Sequence, residues 1–112
     1  MSWRDDPFAR PDADLATPRA RRVLEVVTSI PLGRVMSYGD IAAHLGGCGP
    51  RQVAKVLAAH GDEVPWWRVL RADGRCAPEV RDRQLAHLRR EGVEMSASGR
   101  VNMAAARHTP EE

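Results

Sequence analysis

The 112-residue sequence suffices for one domain with a single modest core, and its 17 Lys and Arg against 15 Asp and Glu leave a net charge of only +2. No apolar run is long enough to span a bilayer and no apolar signal core opens the chain, so no membrane partner is expected and a soluble, cytoplasmic protein is, nucleoid-associated if bacterial. Cys48 and Cys76 form no C-x-x-C pair and lie beside no His cluster, so no metal and no cofactor is expected, and each reads as a small buried hydrophobe.

The charge is unevenly spread. Asp5, Asp6, Asp12 and Asp14 sit near the start, and Glu111 and Glu112 close the chain. The body between them is basic, and Lys55 is its only lysine. Arginine makes planar bidentate contacts to phosphate and stacks on bases. The body therefore suits a polyanion such as nucleic acid. A solvated arginine-rich surface would have the same composition.

Residues 1–16 carry Asp, Pro and Ala with little periodicity and read as a tail. Thr17-Pro18 is an N-cap followed by a proline in the first helical turn. Ala20, Val23, Val27 and Ile30 recur at helical spacing, which predicts an amphipathic helix over 18–30, ended by Pro31. Ser37 is a good N-cap for a second helix, and Asp40 has the spacing of an acidic capping-box partner. Ile41, Ala42 and Leu45 give its buried face. Gly46-Gly47 ends it, and Pro50 opens a third helix.

Helix, tight glycine turn, helix is the helix-turn-helix pattern. On the third helix Val53, Val56, Leu57 and His60 fall toward the core. Arg51, Ala54, Lys55 and Ala58 fall on the outer side. A major-groove reader usually carries Asn, Gln, Arg or Ser at several base-facing positions. This face is small and nearly bare. It would admit close approach to a narrow groove with little sequence discrimination; alanines chosen for helix propensity alone would look the same.

Val64-Pro65-Trp66-Trp67-Arg68-Val69 follows. The proline should hold an extended loop on which the two indoles diverge, one buried and one free to line a pocket. Burial of both as core aromatics is the alternative. Ala72-Asp73-Gly74 is a hairpin turn signal between 69–71 and 75–77, giving a candidate wing. Residues 78–90 read as a fourth, basic helix with Val80, Leu85 and Leu88 as its apolar residues, capped by Gly92. Val93-Glu94-Met95 and Val101-Asn102-Met103 suggest a last short hairpin. The expected domain is 17–103, with a frayed tail over 104–112. The fold class is mainly α with small β hairpins, a winged helix-turn-helix.

Residues 30–42, Ile-Pro-Leu-Gly-Arg-Val-Met-Ser-Tyr-Gly-Asp-Ile-Ala, resemble the I-P-x-G-x-V-x-S-Y-G-[DE]-I-A segment of the O6-alkylguanine-DNA alkyltransferases. Residues 51–57 resemble their recognition helix, and residues 88–92 resemble the L-x-x-E-G of their closing helix. Val64-Pro65-Trp66-Trp67-Arg68-Val69 stands where that family has P-C-H-R-V. The resemblance implies the alkyltransferase C-terminal-domain fold. It also implies that Trp66 replaces the thiolate that accepts the alkyl group and Trp67 replaces the histidine that activates it. Glu91 keeps a matching position as a helix-end structural acid. Indole cannot accept an alkyl group by this displacement, so no catalytic residue and no enzyme activity are expected.

A tryptophan at the cysteine position is similar to the alkyltransferase-like proteins, which lack the enzymes' N-terminal domain. That likeness implies a monomeric, non-enzymatic binder of double-stranded DNA containing O6-alkylguanine. It flips the damaged nucleotide from the minor-groove side and passes the lesion to nucleotide excision repair proteins. Most of that group have P-W-H-R where this chain has P-W-W-R. The implied DNA-binding residues are Ser37, Tyr38, Arg51, Ala54, Lys55 and Ala58. The implied lesion pocket is Tyr38, Pro65, Trp66, Trp67 and Arg68, with Arg68 in a mainly structural role. Arg71, Arg75 and Arg81 could reach the pocket mouth or phosphates. Two competing classes stay open: a small winged-helix regulator of undamaged DNA, and a protein-interaction module.

Overall fold

The computed structural model describes residues 17–110. The segment read as an N-terminal tail, residues 1–16, lies outside them. Helix α1, Pro18–Ser29, is capped by Thr17, whose side chain accepts from the Ala20 N–H. Strand β1, Met36–Ser37, leads directly into α2, Tyr38–Leu45. The capping box forms as its chemistry requires: Asp40 N–H donates to Ser37 Oγ at 2.9 Å and Ser37 N–H donates to Asp40 Oδ2 at 3.0 Å. Gly46 and Gly47 both take φ +73, a left-handed conformation that ends α2. Helix α3, Pro50–His60, then begins with its proline in the first turn.

Helices α2 and α3 pack on each other, and α1 lies against both. Val23, Val27, Ile30, Met36, Ile41, Val53 and Val69 fill the space between them. A second cluster joins Val35, Leu70, Leu88, Val93, Val101 and Ala106. The short strands divide the two. Val35 faces one cluster and Met36 the other, and so do Leu70 and Val69, which is the period-two alternation of extended chain.

Strand β2, Val69–Leu70, pairs in parallel with β1, with Met36 opposite Val69 and Ser37 opposite Leu70. The expected wing hairpin over 69–77 therefore does not form as an antiparallel ladder. The Asp-Gly turn is present, closed by Arg71 N–H to Arg75 C=O at 3.0 Å and Gly74 N–H to Arg71 C=O at 2.9 Å. Val69 and Leu70 are each buried in one of the clusters, and that burial fixes their pairing with β1. Beyond Gly74 the chain turns away toward Pro78, which has no N–H to extend a ladder.

Gly74 has φ +86, and a Cβ there would run into the backbone carbonyl of Val101. The same residue accepts the Val101 N–H at 3.1 Å, so two distant turns meet at this point. Gly74→Ala is expected to lower the unfolding free energy by about 2 kcal/mol, from left-handed strain and the steric clash together. Urea denaturation would show it as a lower midpoint at unchanged slope.

The segment read as one helix over 78–90 is a 3-10 turn, Pro78–Val80, followed by α4, Arg81–Arg90. The last hairpin is reduced to one antiparallel bridge, Met95 with Val101, around a turn closed by Ser96 N–H to Arg100 C=O at 2.7 Å. Residues 103–108, most of them in the segment read as a frayed tail, carry structure. A short helix α5, Met103–Ala106, is capped by Asn102, and Ala106 is buried in the second cluster. Val35 N–H donates to Ala106 C=O at 2.9 Å and His108 N–H donates to Val35 C=O at 2.8 Å. Arg107 adds an ion pair with Asp40 at 3.0 Å. These bonds strap residues 106–108 onto Val35, just before β1, and onto the first turn of α2.

Among the described residues, no helix is long and apolar enough to cross a membrane, and no group of three or more His, Cys, Asp or Glu could hold a metal ion.

Candidate nucleic-acid interface

The tryptophans do not lie on an extended loop. Trp66 N–H donates back to Val64 C=O at 2.7 Å across Pro65, whose φ −73 and ψ 68 make an inverse γ-turn. A 3-10 turn, Trp66–Arg68, follows at once. The two tight turns send the indoles to perpendicular faces, with ring centroids 5.9 Å apart and planes at 82°. The divergence expected from sequence is present, but tight turns produce it.

Trp67 faces inward. Its ring stacks on His87 of α4 at 4.0 Å with planes 10° apart, and its Nε1–H donates to Glu91 Oε2 at 2.8 Å. Arg68 grips the same carboxylate with both arms of its guanidinium. Nε donates to Oε1 at 2.9 Å and one terminal nitrogen to Oε2 at 2.8 Å, while the other donates to the Ile30 carbonyl at 2.8 Å. The Arg68–Glu91 pair is 14% and 10% exposed, so it is largely desolvated, and every guanidinium nitrogen has a hydrogen-bond partner. Burial pushes the Glu91 carboxyl up. Hydrogen bonds from Arg68 and Trp67, with the Arg68 charge and the Gly33 backbone, outweigh it and hold the group below the usual carboxylate range. Arg68 thus has the structural role expected of it, tying the Trp turn to the end of α1 and to α4. Glu91 does more than a helix-end acid, because Trp67 fills its remaining hydrogen-bonding capacity.

Gln84 was missed in the sequence. It is buried on α4 and its amide donates to the carbonyls of Trp67 at 3.0 Å and Val69 at 2.8 Å. The available signal was its spacing, four residues before Leu88, on the buried face of an otherwise arginine-rich helix.

Trp66 faces outward. It walls a cavity of about 250 Å³ together with Tyr38 of α2, Ala54, Leu57 and Ala58 of α3, Gly61, Asp62, Val80 and Arg83. Gly61 lies close under the indole: a Cβ there would stand 3.4 Å from Trp66 Cβ. The Arg83 guanidinium lies over the Trp66 ring, 5.6 Å from its centroid. Arg83 too was not singled out in the sequence.

Of the five residues assigned to the pocket, Tyr38 and Trp66 line it. Pro65, Trp67 and Arg68 do not. The turn rotates Trp67 and Arg68 onto Glu91, and Pro65 forms the bend that supports them. Of the six assigned to DNA, Arg51, Lys55 and Ala58 are exposed along α3 and Ala54 is half-buried at the cavity edge. Ser37 is only 2% exposed and its hydroxyl caps α2, so it presents no surface to a ligand.

Burial pushes the Tyr38 phenol up, the Arg71 charge opposes this and Cys76 adds to it, so the hydroxyl keeps its proton at neutral pH. Burial likewise pushes the Cys76 thiol up against the pull of Arg81. A thiol raised in this way is not an activated thiolate. Both cysteines are free and half-buried.

A small helical domain in which the second helix of a helix-turn-helix, lined with small residues, borders an aromatic-walled cavity defines a helix-turn-helix DNA-binding module. The chain belongs to the 6-O-methylguanine DNA methyltransferase DNA-binding domain family, whose model matches residues 18–93. It is 36% identical over 85 residues to a DNA base-flipping protein of Vibrio parahaemolyticus, covering 71% of this chain and 85% of that one. It is 36% identical over 81 residues to alkyltransferase-like protein 1 of Schizosaccharomyces pombe, covering 66% of this chain and 75% of that one. In three dimensions it is similar to S. pombe Atl1 in complex with damaged DNA containing O6-carboxymethylguanine. The TM-score is 0.70 at 30% identity, over 81% of this chain and 94% of that one.

Proposed function

We propose that this protein binds O6-alkylguanine in double-stranded DNA, holds the damaged nucleotide out of the helix and transfers no alkyl group. The observation that carries the reading is the cavity beside α3, walled by Trp66, the residue that the sequence resemblance sets in the place of the family's nucleophilic cysteine. A flat indole offers a stacking surface for a purine, and its nitrogen lone pair, delocalised in the ring, is no nucleophile to displace the alkyl group from O6. Similarity to proteins named for base flipping, and to one in complex with damaged DNA, supports it.

The roles follow from position. Arginines meet phosphates first, which gives affinity without sequence information. Ala54 and Ala58 let α3 approach the floor of the minor groove. Arg51, exposed at the start of α3, enters the stack where the base has left and recovers part of the unstacking cost. Tyr38, kept protonated, donates its phenol to the phosphate beside the rotated nucleotide. Alkylation at O6 removes the N1 proton of guanine and weakens its pairing, so the lesion costs less to flip than guanine does. The protein acts as a monomer in the cytoplasm and presents the marked site to nucleotide excision repair proteins.

The test is a titration of intrinsic tryptophan fluorescence with two short duplexes that differ only in one guanine or O6-methylguanine, with mass spectrometry of the mixture. Tighter binding to the lesion, quenching, and an unchanged protein mass are expected. Equal weak binding to both duplexes would sink lesion recognition. Selective binding to one undamaged sequence would favour a winged-helix regulator, and a mass increase of one methyl would restore an enzyme.

A further inference from the structure

A second cavity lies outside the helix-turn-helix. It encloses about 420 Å³ and is lined by Arg71, Arg75, Arg81 and Arg100, with Gly74 and Cys76 among its walls. The four arginines come from three separate segments: the Asp-Gly turn, the start of α4, and the 96–100 turn. The Gly74–Val101 hydrogen bond joins the first to the last. Among the described residues only Arg75 has an acidic partner, Asp73 at 3.5 Å, and both side chains are about half exposed. Asp82 lies in the first turn of α4 but does not line the cavity. A fold that gathers four guanidiniums around one concavity and neutralises one of them presents a site for an anion with several acceptor oxygens.

The site adjoins the lesion cavity. Tyr38 lines that cavity and Arg71 lines the second one, and the two directly follow Ser37 and Leu70, which lie opposite each other in the parallel β1–β2 pair. A strand whose rotated nucleotide has its phosphate at Tyr38 would carry a neighbouring phosphate toward the arginines. We propose that this arginine-lined cavity holds a backbone phosphate of the strand that carries the flipped nucleotide, extending the DNA footprint from α3 to the 96–100 turn. The proposal rests on the lesion-binding reading.

The test pairs a double variant, Arg81→Gln with Arg100→Gln, with lesion duplexes in which one flanking phosphate at a time is a neutral methylphosphonate. The wild type should lose about fivefold in affinity at one flanking position in 0.15 M salt, the effect of one lost phosphate contact. The double variant should bind the unmodified lesion duplex about as weakly and lose nothing more at that position. Its slope of log affinity against log salt should fall by about 1. Its preference for O6-methylguanine over guanine and its circular-dichroism melt should not change. Asp73→Asn, which frees Arg75, should tighten binding to both duplexes. Wild-type affinity and slope in the double variant, or losses that add at every substituted position, would overturn the proposal. So would stabilisation of the wild type but not the variant by inorganic phosphate with DNA binding unchanged, which would assign the site to a free anion. Equal wild-type affinity for both duplexes would instead remove the lesion reading, and with it the placement beside a flipped nucleotide; the salt slope would still decide whether the arginines meet phosphate.

Discussion

Glu91→Ala is expected to lower the unfolding free energy by about 3 kcal/mol, the lower end of the cost of removing one partner from a buried ion pair. Three side-chain donors converge on this carboxylate: two from Arg68 and the indole N–H of Trp67. Without it the guanidinium keeps only the Ile30 carbonyl, and Trp67 keeps its stack on His87 but loses its acceptor. Glu91→Gln retains one acceptor oxygen and should lose roughly half as much. Urea denaturation at neutral pH measures both. A loss under about 1 kcal/mol in Glu91→Ala would mean that solvent replaces the carboxylate at little cost, as at an exposed pair.

The same group sets an acid limit. The folded carboxyl titrates below its unfolded value, so its contribution is fully present above the unfolded value, about pH 4.3. It is lost as pH falls through the lower, folded value. The wild-type midpoint should therefore hold near neutrality and drop below about pH 4.3, and Glu91→Gln should flatten that acid limb. An identical acid limb in both proteins would assign acid unfolding to other carboxylates.

Much of what depends on neighbours a few residues away was legible in the sequence, the inverse γ-turn at Pro65 being a local exception. The Ser37–Asp40 capping box, the Gly46-Gly47 stop, the proline start of α3 and the bare outer face of that helix all formed as read. What depends on distant partners was not. Nothing near Val69 says that its strand partner is Met36, 33 residues earlier and parallel, instead of the far arm of its own Asp-Gly turn. Nothing near Ala105 says that Arg34 donates to its carbonyl at 2.8 Å across 71 residues, which ties α5 to the turn after α1. At the site the divergence of the two indoles was readable, but not which one turned inward. That depends on Glu91, 24 residues on, offering an acceptor for an indole N–H. The P-W-W-R departure thus has a physical account. The second tryptophan is an inward-facing donor to the closing-helix carboxylate, and only the first walls the cavity.

Trp66→Ala is accordingly expected to remove lesion discrimination while leaving the fold. Aromatic stacking on an unpaired base contributes about 1–3 kcal/mol, so affinity for the O6-methylguanine duplex should fall roughly 5- to 150-fold. Affinity for the guanine duplex, set by arginine–phosphate contacts, should hardly change. Trp66→Phe keeps an aromatic face and should keep most of the discrimination. Trp67→Phe supplies the contrast. It retains the ring against His87 and loses only the hydrogen bond to Glu91, so it should cost about 1 kcal/mol of stability and little discrimination. Paired titrations of the three variants with both duplexes, each beside a urea melt, separate the two roles. Loss of discrimination in Trp67→Phe with none in Trp66→Ala would mean that the inner indole reads the base, and the cavity beside α3 would then not be the lesion pocket. The opposite pattern, binding lost with Trp66 and stability lost with Trp67, is what two perpendicular rings on one tight turn should give. Their 82° angle leaves one indole to the core and the other to the ligand.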